Sequence, residues 1–402
     1  MNVVFVLLFV AALVAGALHG DIRAVSQGAF DGAGQAVTLS IGLVGAMALW
    51  LGLLKIAERA GMVSLLARLA RPVFRPLFRE VPDGHPAISA MLLNIAANAL
   101  GLGNAATPLG IKAMEELEKL NPEPGTATNA QVLFLAINTA SLQIVPTTVI
   151  ALRVSAHSTD PAGILLPTLL STGCALVVAI TLCKLFERAK SLLARAAALL
   201  ATGLGIALVI FIVTRFAHWQ PPGERFRAVV GGISSWVIAG LLVGIPLIAL
   251  LMRVKVYEAF IEGAKDGFTT GVRIIPFLVA ILAAVGAFRA SGAMDAFAHV
   301  LAPLTGPLGL PAEVIPLAVV RPLSGGGALG ILGSIFTAVG PDSYAGKLAS
   351  VVQGSTETTF YVLSVYCGSV GIVRYRHALL AGLSADLTGL VASVAMARLL
   401  WG

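Results

Sequence analysis

The chain has 402 residues, 57% of them hydrophobic and only 12% charged, with a mean hydropathy of +0.92. A soluble domain carries about 25% charge, so this composition excludes a water-soluble fold and points to an all-α polytopic membrane protein. The net charge of +7 does not mark a nucleic-acid binder, because the basic residues sit at the ends of apolar runs.

The opening "MNVVFVLLFVAALVAGALHGD" lacks a positive leader and reads as an uncleaved first helix over 2–18. Further runs of spanning length lie at 35–56, 128–151, 162–184, 194–215, 230–252, 269–288, 345–370 and 377–400. Two more apolar stretches, near 86–104 and 312–338, are interrupted by Gly, Pro and polar residues and are predicted to be re-entrant hairpins. That leaves nine crossings. With the N-terminus in the cytoplasm, seventeen Lys and Arg fall on the cytoplasmic side and seven on the far side, as the positive-inside rule requires. In 61–80, Arg68, Arg71, Arg75 and Arg79 recur at helical spacing opposite Leu65, Leu66, Leu69 and Phe74, which predicts an interfacial helix broken by Pro72 and Pro76. Cys174, Cys183 and Cys367 all fall in apolar spans and read as small core residues. No metal-ligand spacing and no nucleophile–base set is visible, so neither an enzyme nor a resident cofactor is expected.

The polar residues inside apolar stretches carry the functional signal, since an amide left unpartnered in hydrocarbon costs several kcal/mol. In the first hairpin, "LLNIAANALGLGNAATPLGIKAM", Asn94 and Asn98 are four apart and share one helix face. Gly101 and Gly103 break the helix, Asn104 follows, and Thr107–Pro108 reads as an N-cap and N1 pair opening a second helix. Lys112/Glu116 and Glu115/Lys119 are spaced to pair along it. In the span that follows, Asn138 and Gln143 lie among hydroxyls, and Pro146 is expected to bend the helix.

The second hairpin, "VVRPLSGGGALG", holds Arg321 at membrane depth and Ser324 as the cap of a helix beginning around Gly327. A charge at that depth is a functional hypothesis by default; its expected partners are Glu357, Asp386 or an anionic solute. In "QGSTETTF", Gln353, Glu357 and Tyr361 are predicted to form one helical line with Thr356 beside it. Glu357 and Asp386 are the candidates for binding a coupling proton or Na+. Residues 61–78 and 292–309 share five identities without gaps, and Ala130/Ala345, Leu133/Leu348, Asn138/Gln353 and Ser141/Thr356 fall in register further on. With the odd span near 194–215 between them, two inverted-topology repeats are expected, each with a broken re-entrant hairpin, the pattern of secondary transporters.

These stretches resemble the spore maturation proteins A and B, the nucleoside-recognition gate group, joined in one chain. The marks of the A-like part, 1–190, are "NIAANALGLGNAATPLGIKAMEEL" and "INTASLQIVPTTVIALR"; those of the B-like part, 230–402, include "RPLSGGGALGILGSIF" and "QGSTETTFYVLSVYCGSVGI". Residues 191–229 form a linker helix and loop. The resemblance implies an inner-membrane protein with an architecture like that of concentrative nucleoside transporters. The expectation is a secondary transporter of a small polar solute, nucleoside-like or anionic, working by alternating access, with the bilayer and a second copy of the chain as its other partners. A gated channel, or a scaffold in spore maturation, is the alternative. The solute site is expected at Asn94, Asn98, Asn104, Thr107, Asn138, Gln143, Arg321, Ser324, Gln353, Thr356 and Glu357, with Glu357 and Asp386 coupling the ion.

Overall fold

A computed structural model describes residues 2–101, 106–188, 224–294, 296–297, 300 and 309–402. The predicted span at 194–215, residue Asn104 and most of the repeat segment at 292–309 lie outside them. The described residues form helices α1 (Asn2–His19), α2 (Ile22–Arg59), α3 (Met62–Phe74), α4 (Pro86–Ala99), α5 (Ala106–Glu118), α6 (Asn129–Ala140), α7 (Thr147–Ser155) and α8 (Leu165–Arg188). They continue with α9 (Glu224–Leu251), α10 (Val256–Ala290), α11 (Ile315–Val320), α12 (Gly325–Val339), α13 (Tyr344–Ser355), α14 (Thr359–Gly368) and α15 (Ala378–Trp401). Among the described residues there is no β-strand, only an isolated bridge between Thr126 and Arg374.

Four helices, α2, α8, α10 and α15, are long and apolar enough to cross a membrane unbroken. α2 and α10 run well beyond their predicted spans. The 38 residues of α2 reach about 57 Å at 1.5 Å per residue, against a hydrocarbon core of about 30 Å. The two helices lie antiparallel along their length: Gly28 and Gly32 of α2 meet Gly286 and Leu282 of α10, and at the other end Ala48 and Leu51 meet Gly267 and Gly263. A Cβ on Gly32 would sit 2.1 Å from the Leu282 carbonyl oxygen. Small residues let the backbones approach, which is how membrane helices associate without a hydrophobic drive between them.

Two predicted spans are not continuous helices. The stretch 128–151 is α6 and α7 separated by 141–146, and 345–370 is α13 and α14 separated by 356–358. Pro146 therefore does not bend one helix; it precedes the start of a second. Pro cannot donate the amide a continuing helix needs, and Ser141 has already turned the chain with φ 43°. Gln353, Glu357 and Tyr361 likewise do not share one helical line, because the helix stops at Ser355 and Thr356 is extended.

The two halves follow one order. Each has a long helix (α2, α10), a hairpin of shorter helices (α4–α5, α11–α12), a broken helix (α6–α7, α13–α14) and a closing helix of 24 residues (α8, α15). α6 and α13 both have 12 residues, and each starts on a side-chain cap, Thr128 and Ser343, that accepts a backbone N–H. Gly61 and Gly292, paired in the sequence repeat, both adopt positive φ, 71° and 78°. The broken helices run antiparallel. Ala127 N–H, before α6, donates to the Arg374 carbonyl, after α14. Arg153, at the end of α7, binds the Pro341 carbonyl at 2.6 Å and Asp342 at 2.8 Å, just before α13. α8 and α15 also meet end to start, where Phe186 stacks on His377 at 5.0 Å.

The helix predicted in 61–80 forms as α3, with Val63, Ala67 and Phe74 buried and Leu65, Leu69 and Val73 exposed. Pro72 sits inside it, and the turn carrying Pro76 is 3-10. On α5 the predicted Glu115–Lys119 pair does not form. Glu116 takes both Lys112 (3.0 Å) and Lys119 (2.8 Å) instead.

Candidate functional site: a cavity between two broken helices

The helix breaks leave backbone groups without intrahelical partners, and several of these find partners on other elements. The carbonyls of Ala140 and Ser141 accept from the Thr172 hydroxyl of α8 at 2.7 and 2.8 Å. Ile144 N–H donates to the Ala99 carbonyl at the end of α4, and the Thr147 hydroxyl to the Gly101 carbonyl. The first hairpin's turn is thus tied to the first break. The second pair repeats the device: Phe360 N–H donates to the Pro322 carbonyl, and the Arg321 guanidinium donates to the Thr358 hydroxyl (2.9 Å) and the Thr356 carbonyl. The breaks then meet each other. Glu357 N–H donates to the Thr139 carbonyl at 2.7 Å.

Beside this crossing lies a cavity of about 550 Å³, lined by both halves. From the first come Asn98, Thr107, Asn138 and Gln143; from the second, Arg321, Ser324, Gln353 and Glu357. Met47 and Leu51 of α2 and Ile274 and Phe277 of α10 supply apolar wall. Most of the residues predicted from sequence are therefore brought together. Asn98 Nδ2 donates to Asn138 Oδ1 at 2.9 Å, and Asn138 Nδ2 donates to the Phe134 carbonyl. Ser324 caps α12, accepting from Gly327 N–H; the helix begins at Gly325, two residues before the predicted start. Thr107 lines the cavity from inside α5. It is not an N-cap, because Ala106 is already helical.

Three predicted residues stand elsewhere. Asn94 is fully buried; its Nδ2 donates to the Ala106 carbonyl at 2.8 Å and to Tyr366 Oη at 3.3 Å, so it joins the two helices of its own hairpin. Thr356 and Asp386 face a second cavity of about 200 Å³ behind the first, and Arg321 lines both. Asp386 Oδ2 accepts from the Thr359 hydroxyl at 2.5 Å. A recess of about 340 Å³ where α2 and α10 cross, beside Asp31 and Arg289, contains none of these residues.

Burial of polar atoms without partners marks where the protein is incomplete by itself. Gln353 is 5% exposed and its Oε1 has no partner; Arg321 is 5% exposed and its Nε has none. Both line the large cavity. The Arg321–Glu357 ion pair is loose, 3.7 Å from Nη2 to Oε2. Among the described residues no cluster of three His, Cys, Asp or Glu has the makings of a metal site.

Tyr366 escaped sequence reasoning. Its hydroxyl takes Asn94 on one side and lies 3.5 Å from Asn138 Oδ1 on the other, yet a lone Tyr late in an apolar run carries no local signal. Thr168 and Thr172 at i,i+4 on α8 are a readable signal for a helix face that meets a polar element. Arg153 is 1% exposed, and nothing local distinguishes it from a span-end charge.

Among the described residues, bundled apolar helices, four of them long enough to span, and two broken helices around a polar cavity make this an all-α multi-pass membrane protein. Its family follows from sequence likeness: a family model described as Gate, nucleoside recognition, matches residues 40–155 and 271–373, and the chain belongs to that family. It is 47% identical over 174 residues to spore maturation protein B of Bacillus subtilis, covering 43% of this chain and 98% of that protein. It is 44% identical over 172 residues to spore maturation protein A of the same organism, covering 43% and 88%. Such matches are those of a fused A/B protein. An inner membrane protein of Escherichia coli, YjiG, is 32% identical over 88 residues, 22% of this chain and 58% of that protein. No solved structure matches.

Proposed function

We propose that this protein is a secondary transporter that moves a small polar solute, nucleoside-like or anionic, across the bacterial inner membrane by alternating access. The observation that carries the reading is the meeting of two antiparallel broken helices, Glu357 N–H on the Thr139 carbonyl, beside a cavity furnished by both halves. In this reading 1–190 and 230–402 are inverted repeats joined by 191–229, the hairpins α4–α5 and α11–α12 re-enter from opposite leaflets, and the N-terminus is cytoplasmic. Antiparallel pairing of α2 with α10 and of the broken helices supports the inversion. A volume of about 550 Å³ is in the range of ligand pockets, roughly 300–1,000 Å³. Orphaned Gln353 Oε1 is an acceptor for a solute carrying a donor.

The chain acts as a carrier, with no chemistry of its own and no resident cofactor, coupled to H+ or Na+. Thermal-shift screening of purified protein against nucleosides, amino acids and dicarboxylates should give a stabilising solute whose effect is lost in Gln353→Ala. In liposomes that solute should show saturable uptake and counterflow. Flux that neither saturates nor exchanges would make the protein a channel. Absence of any solute effect, with Gln353→Ala silent in cells, would make it a scaffold.

A further inference from the structure

The second cavity is the least explained part of the molecule. Its wall is apolar on most sides, with Ala318, Val352, Leu383 and Leu387, and Arg321 faces Asp386 across it. Two buried atoms there lack partners, and they are complementary: Arg321 Nε is a donor and Asp386 Oδ1 an acceptor. Arg321 meanwhile donates through its Nη atoms to the Thr358 hydroxyl and the Thr356 carbonyl and holds a loose pair with Glu357 on the other side. One guanidinium thus stands between two carboxylates at membrane depth. When both acids are ionised the group carries an uncompensated negative charge, which low dielectric penalises heavily. One added cation removes it.

We propose that Asp386 is a proton site and that Arg321 is the partner it shares with Glu357. With Asp386 ionised, Arg321 Nε closes on Oδ1 and withdraws from the large cavity. With Asp386 protonated, Arg321 turns to Glu357 and to an anionic group of the solute. The proton is taken up on Oδ1 and leaves from it; no other bond changes. A metal ion is the weaker occupant because it would share about 200 Å³ with a guanidinium. The helices packed on α15 are α6, α8, α13 and α14. α6 has no titratable side chain, α14 offers Tyr361, Tyr366 and Cys367, and α8 offers Cys174, Cys183 and the Lys184–Glu187 pair at its end. α13 offers Tyr344 and Lys347, the latter over Trp401 at 5.5 Å. The charged groups that reach Asp386 are therefore Arg321 and Glu357.

The proposal rests on the transport reading only in calling this proton the coupling ion; the site itself stands on the geometry. Infrared difference spectroscopy of full-length protein in lipid nanodiscs, titrated with acid and base in choline chloride, tests it without any solute. The expected result is a protonated-carboxyl band that titrates reversibly, vanishes in Asp386→Asn, and survives in Glu357→Gln. Asp386→Glu, which keeps the acid, should move the band without deleting it, and Arg321→Ala should hold the band to higher pH. No such band, or a band lost in Glu357→Gln and kept in Asp386→Asn, overturns the assignment. So does a band removed by NaCl at equal ionic strength, which would make the site one for an alkali cation. Counterflow of a solute tests the transport reading independently, so the failure of either is told apart from the failure of the other.

Discussion

In the first half, the hairpin and broken helix meet the large cavity through neutral groups that mostly satisfy one another. Asn98 binds Asn138, and Asn138 binds the Phe134 carbonyl. In the second half the same positions in the plan carry Arg321, Gln353 and Glu357, with a loose ion pair and unpartnered atoms. The same order of elements thus carries different side-chain chemistry in the two halves. Amides bonded in series fix shape, because each hydrogen bond holds the next. An incomplete charged set has donors and acceptors left over for a new partner.

The largest test of that contrast is Arg321→Ala. It removes the guanidinium that bonds the Thr358 hydroxyl and the Thr356 carbonyl at the second break, and a hydrogen bond to a charged group is worth about 1.5–3 kcal/mol. Thermal unfolding in nanodiscs should show the largest loss of this set, and Glu357→Gln added to it should recover part. Recovery by Asn98→Ala instead would dissolve the distinction between the halves. Asn138→Ala should cost less, about 1–3 kcal/mol for buried groups left unpaired, and should weaken solute binding equally at all pH values. Tyr366→Phe removes one hydroxyl that takes Asn94 and approaches Asn138; a loss near 0.6 kcal/mol is about average for a hydrogen bond between membrane helices.

The pH-dependent effect belongs to a junction of the halves outside the cavity. Burial alone would raise the Asp342 carboxyl, but bonds from Ser158 and from the Thr159 backbone and hydroxyl, with the Arg153 charge, outweigh it and hold the group below its ordinary value. A carboxylate lowered on folding contributes stability at neutral pH and loses it as pH falls through its folded value. Asp342→Asn should therefore lower Tm near pH 7, because it removes the charge opposite the buried Arg153. Wild type and variant should converge in acid. A Tm difference that widens in acid would contradict this sign.

Much of the site was legible because an amide or charge inside an apolar run has few innocent explanations. Asn98, Asn138, Gln143, Arg321, Gln353 and Glu357 all line one cavity. Asn94 shows the limit: it has the same chemistry and helix face as Asn98, yet bonds inward to Ala106 and Tyr366. The face was readable, but not which neighbour would occupy it. The line of Gln353, Glu357 and Tyr361 failed for a related reason. Helical spacing presumes a helix, and "GSTET" has no proline to announce a break. What ends the helix there is the bond from Glu357 N–H to Thr139, 218 positions away.

By itself the sequence determined membrane residence, the family and the places where polar groups enter the apolar interior, since these depend on local composition and on the cost of burying polar atoms. The tertiary structure alone decided that the two broken helices are antiparallel and touch, that Arg321 stands between two cavities, and that Asp386 and Thr356 face the smaller one. Those facts belong to pairs of residues far apart in the chain, and the bonds between them exist only once packing has chosen which faces meet.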